Sequence, residues 1–181
     1  MDDYELAKLQ PFLDRISRCV RYISSEEAEE CGFKHYHIPF LLAIGKNPGI
    51  SQKGLCERIP FDKSRVSIVV RDLMDRGYAV NGSTGKVWSL SLTPSGEAAS
   101  RKSREIIAGI YGGLFAGVPE GDMEILKRVL QHAAERADSI ASKTPLEPGL
   151  EDRGLKQTVG IYKYQEQMAD WHSDGSRTDN L

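Results

Sequence analysis

From Asp62 to Gly77 the chain sets donor-rich and apolar side chains on opposite sides of one amphipathic segment. Val66, Val69 or Val70, and Leu73 recur at helical spacing and must face a core. Ser64, Arg65, Ser67, Ile68 and Arg71 fall on the other side. Of these, Ser64, Ser67, Ile68 and Arg71 lie at offsets of 3, 4 and 7 and so share one helix face. Their chemistry is recognition rather than bond making. A guanidinium can bond bidentately to guanine in a DNA major groove, and an isoleucine can meet a thymine methyl. Ser51, Lys53 and Lys63 stand at predicted helix starts, where backbone N–H groups attract phosphate. Lys86 stands in a turn from which it can reach a phosphate backbone. Each residue also has a plainer reading. Arg71 can pair with Asp75 four residues on. Ile68 can pack under the following hairpin, the serines can be solvent-facing, and Lys86 can be a solvated turn charge. Asp62 reads as a cap rather than a contact.

The elements that must hold this segment are legible from periodicity and punctuation. Leu6, Leu9, Leu13, Ile16, Val20 and Ile23 form one stripe of a first helix, with Arg15, Arg18 and Arg21 elsewhere on it. An acidic stretch, Glu26 to Glu30, precedes Cys31-Gly32. A second helix is expected over 36–46, with Pro39 in its first turn, and Gly45-Lys46-Asn47-Pro48-Gly49 stops it. Ser51 caps a short helix through Arg58, and Ile59-Pro60-Phe61 breaks the chain before the Asp62 helix. Tyr78-Ala79-Val80 and Val87 to Leu92 then read as two strands around turn residues Asn81 to Lys86. Thr93-Pro94 opens a long helix to about Leu114, loosened by Gly109, Gly112 and Gly113. A last long helix runs from Pro119 to about Ala141, with Leu126, Leu130, Ala133, Ala137 and Ile140 on one side. Residues 142–181 read as linker and tail, with Ile161, Tyr164, Met168 and Trp171 marking a short helix over 161–172.

The expected fold is thus mainly α with a small β-hairpin wing: a winged helix-turn-helix over 36–96. A helix over 1–35 and long helices over 97–141 flank it. Two long apolar-striped helices outside the recognition unit point to a dimerisation layer. Its expected contacts are Leu6, Leu9, Leu13, Ile16 and Val20 on one side and Leu126, Leu130, Ala133 and Ala137 on the other.

Charge supports the same division. The net charge is −2, yet residues 51–104 carry ten Lys/Arg against five Asp/Glu, while both flanks are net acidic. The apolar share of 40% and charged share of 28% place the chain among soluble globular proteins. No run approaches a membrane span, and the acidic start is unlike a secretory signal. Three cysteines, Cys19, Cys31 and Cys56, are an odd count without a CxxC pair, so a cytoplasmic setting is expected. No nucleophile–base pair, phosphate loop or metal motif stands out, so neither an enzyme nor a cofactor is expected. His35 and His37 near Cys31 make only a thin case for metal.

Several stretches together resemble the MarR family of bacterial transcriptional regulators. They are Asn47-Pro48-Gly49-Ile50-Ser51-Gln52, Leu55-Cys56-Glu57-Arg58, Asp62-Lys63-Ser64-Arg65-Val66-Ser67, Leu73-Met74-Asp75-Arg76-Gly77-Tyr78 and Leu90-Ser91-Leu92-Thr93-Pro94-Ser95-Gly96. The resemblance implies a homodimer whose outer helices interlock and whose two lobes grip double-stranded DNA at an inverted repeat, acting as a repressor. Family wings usually carry arginine, whereas the loop Asn81–Lys86 has none, which shifts the expected grip toward the Asp62 helix. The resemblance also implies a small aromatic or lipophilic effector. His35, Tyr36 and His37, with Tyr111 and Phe115, are the candidate pocket residues. Oxidant sensing is a further family mode, for which Cys19, flanked by Arg18 and Arg21, is the candidate. A winged-helix module working mainly through protein contacts is the competing reading.

Overall fold

The computed structural model describes residues 6–59, 61–85 and 87–143. Lys86 and the segment 144–181, with the expected helix over 161–172, lie outside the described residues. The described residues form, in order, α1 (Gln10–Glu30), α2 (Ile38–Lys46), α3 (Gln52–Arg58), α4 (Lys63–Asp75), β1 (Ala79–Asn81), β2 (Leu90–Leu92), α5 (Pro94–Leu114) and α6 (Glu120–Lys143). This is the mainly α winged-helix architecture expected from the sequence.

Local chemistry sets most boundaries. Pro11 sits in the first turn of α1, where its missing N–H costs nothing. The expected stripe is therefore split: Leu6 and Leu9 precede α1 instead of extending it. A 3-10 turn over His35–His37 leads into α2, so that helix begins later than the pattern suggested. Gly49, at φ +82°, makes the turn into the Ser51 cap. Thr93 Oγ1 accepts from the Gly96 backbone N–H and donates to the Gly77 carbonyl, tying the start of α5 to the end of α4. Gly96 is there because the backbone of Tyr78 passes directly over it; an added Cβ would collide with the Tyr78 carbonyl.

The wing is shorter than expected. β1 pairs antiparallel with β2 over only three residues a side, Ala79 opposite Leu92 and Asn81 opposite Leu90. The Asn81 side chain ends the ladder: its Oδ1 accepts from the backbone N–H groups of Ser83 and Ser89. Val87 is left out of the expected strand and is exposed. On the other edge, Ile50 bridges Leu90, whose N–H donates to the Ile50 carbonyl and whose carbonyl accepts from Gly49.

One core binds these pieces. Phe40, Leu41, Ile44, Leu55, Val66, Val70, Leu73 and Leu90 are all fully buried in it. At about 1.5–3 kcal/mol for each large apolar side chain buried, this cluster is the main stabilising term of the lobe. α5 packs on α2 and on α1 through Ala99, Ile106 and Ile110. The outer helices differ. Leu13, Phe12 and Ile16 of α1 and Ile125, Val129 and Ile140 of α6 remain exposed within the single chain. Among the described residues, no helix is long and apolar enough to cross a membrane.

Candidate nucleic-acid interface

α4 is anchored before it presents anything. Asp62 Oδ1 accepts from the Arg65 N–H at 2.9 Å, capping the helix as expected. Val66, Val69, Val70 and Leu73 are buried on its inner side. Lys63, Ser64, Arg65, Ile68 and Arg71 are exposed, and Ser67 is half-buried between them. Ile68 keeps 62% of its surface, so it is not packed beneath the hairpin. The i,i+4 ion pair on this helix joins Asp72 to Arg76 at 2.8 Å, not Asp75 to Arg71. Arg71 therefore projects without a carboxylate partner among the described residues.

The helix starts differ from one another. Ser51 Oγ accepts from the Gly54 N–H at 3.0 Å, so its side chain is a cap and is half-buried. Lys53 is exposed and lies 3.9 Å from Glu57, too far for a firm pair. α3 and α4 pack against each other, the arrangement of a helix-turn-helix.

Behind α4 lies a polar cluster that sequence reading did not assemble. His37 is wholly buried. Its Nδ1 accepts from the Lys34 backbone N–H at 3.1 Å, which puts the ring proton on Nε2. Nε2 then donates to Asp72 Oδ2 at 2.7 Å, and the Tyr36 hydroxyl approaches the same oxygen at 3.4 Å. Burial lowers the pKa of His37 against the opposing pull of Asp72. Burial would raise the Asp72 carboxyl, but its hydrogen bonds from Arg76 and His37 outweigh that and leave it below the usual range. The Asp72–Arg76 spacing was visible in the sequence; the long-range partner His37 was not.

That placement corrects one expectation. His37 is a core residue bonded on both ring nitrogens, so it does not line an open pocket. His35 is exposed, and Tyr36 is half-buried beside it. Partial burial, Arg21 and Arg65 lower the His35 pKa. Tyr111 stacks on Phe115 at the far end of α5, with ring centroids 6.3 Å apart. A shallow cavity of about 310 Å³ lies instead between α1 and α5, lined by Cys19, Ile23, Glu27, Gly109, Ile110, Gly113 and Leu114. No group of three or more His, Cys, Asp or Glu able to hold a metal ion occurs among the described residues. The cysteines among them are free thiols, Cys19 half-buried at the cavity edge.

Comparison with known proteins shows what this arrangement is similar to. Residues 32–85 match the MarR family model. No curated protein sequence matches the chain. Solved structures do, at low identity. One is described as a MarR family transcriptional regulator from Listeria monocytogenes, complexed with 26mer DNA. It is 18% identical, with a TM-score of 0.70, over 82% of this chain and 100% of that one. A MarR transcriptional regulator from Methanosarcina mazei Go1 is 19% identical, with a TM-score of 0.67, over 77% and 94%. CouR from Rhodococcus jostii RHA1, bound to p-coumaroyl-CoA, is 21% identical, with a TM-score of 0.59, over 75% and 93%. The matched segment contains α2, α3, α4 and β1, the polar cluster behind α4 and its exposed outer row; residues 32–85 are thus similar to MarR family proteins, and the described chain has the winged helix-turn-helix fold of those structures.

Proposed function

We propose that the protein is a homodimeric DNA-binding transcriptional repressor that reads an inverted repeat by laying α4 in the major groove. One observation carries this reading. α4 is capped and buried along one side, yet holds Ser64, Arg65, Ile68 and Arg71 in an exposed row on the other. A row of that composition on a rigid helix suits base edges. Lys53 and Lys63, both exposed, are the proposed phosphate contacts, which position a helix without reading sequence. Lys86, outside the described residues, is proposed as a further phosphate contact from its place in the sequence. The similar fold of a Listeria monocytogenes protein complexed with DNA supports the assignment.

The dimer rests on the outer helices. Leu6, Leu9, Leu13 and Ile16 are exposed, and Val20 half-buried, ahead of the acidic stretch of α1. On α6, Leu126, Leu130 and Ala137 are half-buried and Ala133 exposed. Apolar helix faces of this length are costly in water and favour a second copy. An effector of small aromatic or lipophilic type, bound near His35, Tyr36, Tyr111 and Phe115, is the regulatory part of the proposal. The likeness to a protein bound to p-coumaroyl-CoA supports it. Such a regulator works in the cytoplasm.

Selection of bound duplexes from a random pool tests the whole reading. Two half-sites about one helical turn apart are expected. No enrichment at about 50 mM salt would overturn it, since phosphate contacts are strongest there. Sedimentation at micromolar concentration should give a dimer; a monomer would remove the inverted repeat. A second reading, a winged helix acting through protein contacts, is favoured by one feature: the wing exposes Val80 and Val87 and has no arginine.

A further inference from the structure

We infer that Phe61 is a positioning residue: its ring is a platform that holds the Arg65 guanidinium ready to read one base pair in each half-site. The inference rests on the DNA-binding reading above and adds a specificity determinant outside the exposed row. Phe61 lies in the break before α4, where its N–H donates to the Ile59 carbonyl at 2.8 Å and fixes the turn. One face of its ring stacks on Phe40, with centroids 5.6 Å apart and planes 17° from parallel. Phe40 is wholly buried in the lobe core, so the platform has a rigid foundation. The guanidinium carbon of Arg65 lies 5.9 Å from the centroid of the Phe61 ring, inside cation–π range.

The surroundings leave Arg65 no competing anchor. The nearby carboxylate, Asp62, is engaged as the helix cap, bonded to the Arg65 backbone rather than to its side chain. No ion pair involves Arg65 among the described residues. A guanidinium held over a ring, and not by a carboxylate, keeps its N–H donors uncommitted, and those are the donors a guanine edge takes bidentately. Arg65 also stands in the first turn of α4, and the N-terminal residues of a recognition helix are those that reach base edges. Ordering a free arginine on binding typically costs a factor of about two to ten in affinity. The platform removes that cost before DNA arrives.

The test uses the full chain and the duplex its own selection returns, with a panel of single base-pair changes. Phe61→Met fills the space without a ring face; Phe61→Tyr keeps the face; Arg65→Lys leaves the core untouched. Thermal melting first shows which variants are folded. The expected result is that Phe61→Met and Arg65→Lys lose discrimination at the same base pair, by about two- to tenfold. The other positions and the salt slope should be unchanged, and Phe61→Tyr should match the wild type. The Phe61→Met, Arg65→Lys double variant should be no worse than either alone. Should Phe61→Met not fold, Arg65→Lys and Phe61→Tyr still decide the matter, because each leaves the Phe40 stack in place. A uniform loss across all positions, an unchanged profile in Arg65→Lys, or a flattened one in Phe61→Tyr would overturn the platform while leaving DNA binding intact. A wild-type chain that selects no duplex would overturn the parent reading and this one with it.

Discussion

Replacing Asp72 with alanine should destabilise the fold far more than its partly exposed position suggests. The magnitude comes from its partner. His37 is fully buried, its Nδ1 is committed to the Lys34 N–H, and its Nε2–H has Asp72 Oδ2 as acceptor. Truncation leaves that buried donor unpaired, which costs about 1–3 kcal/mol. The Arg76 pair adds at most about 0.5 kcal/mol, because both side chains keep a third or more of their exposure or close to it. A total of about 1–3.5 kcal/mol should lower the melting temperature by roughly 2–14 °C at fixed protomer concentration. Asp72→Asn retains an acceptor and should cost less. The pH dependence has a definite sign. His37 and His35 are both lowered, mainly by burial, so above about pH 6.5 neither state carries the extra proton. As pH falls below that value the unfolded chain binds protons that the native chain refuses. Stability is therefore lost progressively down to the native pKa values and is level with respect to these groups below them. Without Asp72, which pulls the His37 pKa upward, the loss should extend to lower pH. Paired thermal melts at pH 7.5 and 5.5 measure both effects. An Asp72→Ala protein within about 0.5 kcal/mol of wild type would refute the account of His37 as a satisfied buried donor.

Further outcomes follow from single positions. Asp62→Ala removes the cap of α4 and should cost about 1 kcal/mol in chemical denaturation, with Ser51→Ala costing a similar amount at α3. Gly96→Ala has no room against the Tyr78 backbone and should yield little folded protein, read by circular dichroism and soluble yield. Gly112→Ala puts a Cβ into open space within α5 and should raise stability by about 0.5–1 kcal/mol. A fall in its melting temperature instead would mean that something beyond the single chain occupies that face.

Most of the fold was legible because its signals are local. The Ser51, Asp62 and Thr93 caps each occur where side-chain chemistry and a change of period coincide. The wing is shorter than its sequence suggests because Val87-Trp88-Ser89 has strand composition, while the side chain of Asn81, by bonding to Ser83 and Ser89, ends the ladder early. The exposed row of α4 was legible from helical offsets alone. Its supports were not. His37 reaches Asp72 across 35 residues, and Phe40 reaches Phe61 across 21, separations at which a single sequence carries no pairing signal. His37 reads as a pocket residue for that reason: a histidine near an aromatic pair looks the same in sequence whether it lines a cavity or closes one.

Those two supports constrain how α4 can move. His37 and Phe40 belong to one continuous stretch, the turn and first residues of α2. His37 holds α4 near its C-terminal end through Asp72, and Phe40 holds the segment just before its N-terminus through Phe61. Between them Val66, Val69, Val70 and Leu73 are buried in the same core. Tilting α4 within its lobe would break a buried hydrogen bond, an aromatic stack and several apolar contacts together, at a cost of several kcal/mol on the order of the stability of a whole domain. In the proposed dimer, moving the lobe as a unit against its partner's would break none of them. If the protein reads DNA as proposed, its regulation by a modest binding energy, about 1–3 kcal/mol for a typical coupling, is thus compatible with a change in the spacing of two rigid lobes and not with a deformation of α4 itself. The exposed apolar residues on α1 and α6 are where such a change in spacing would be set.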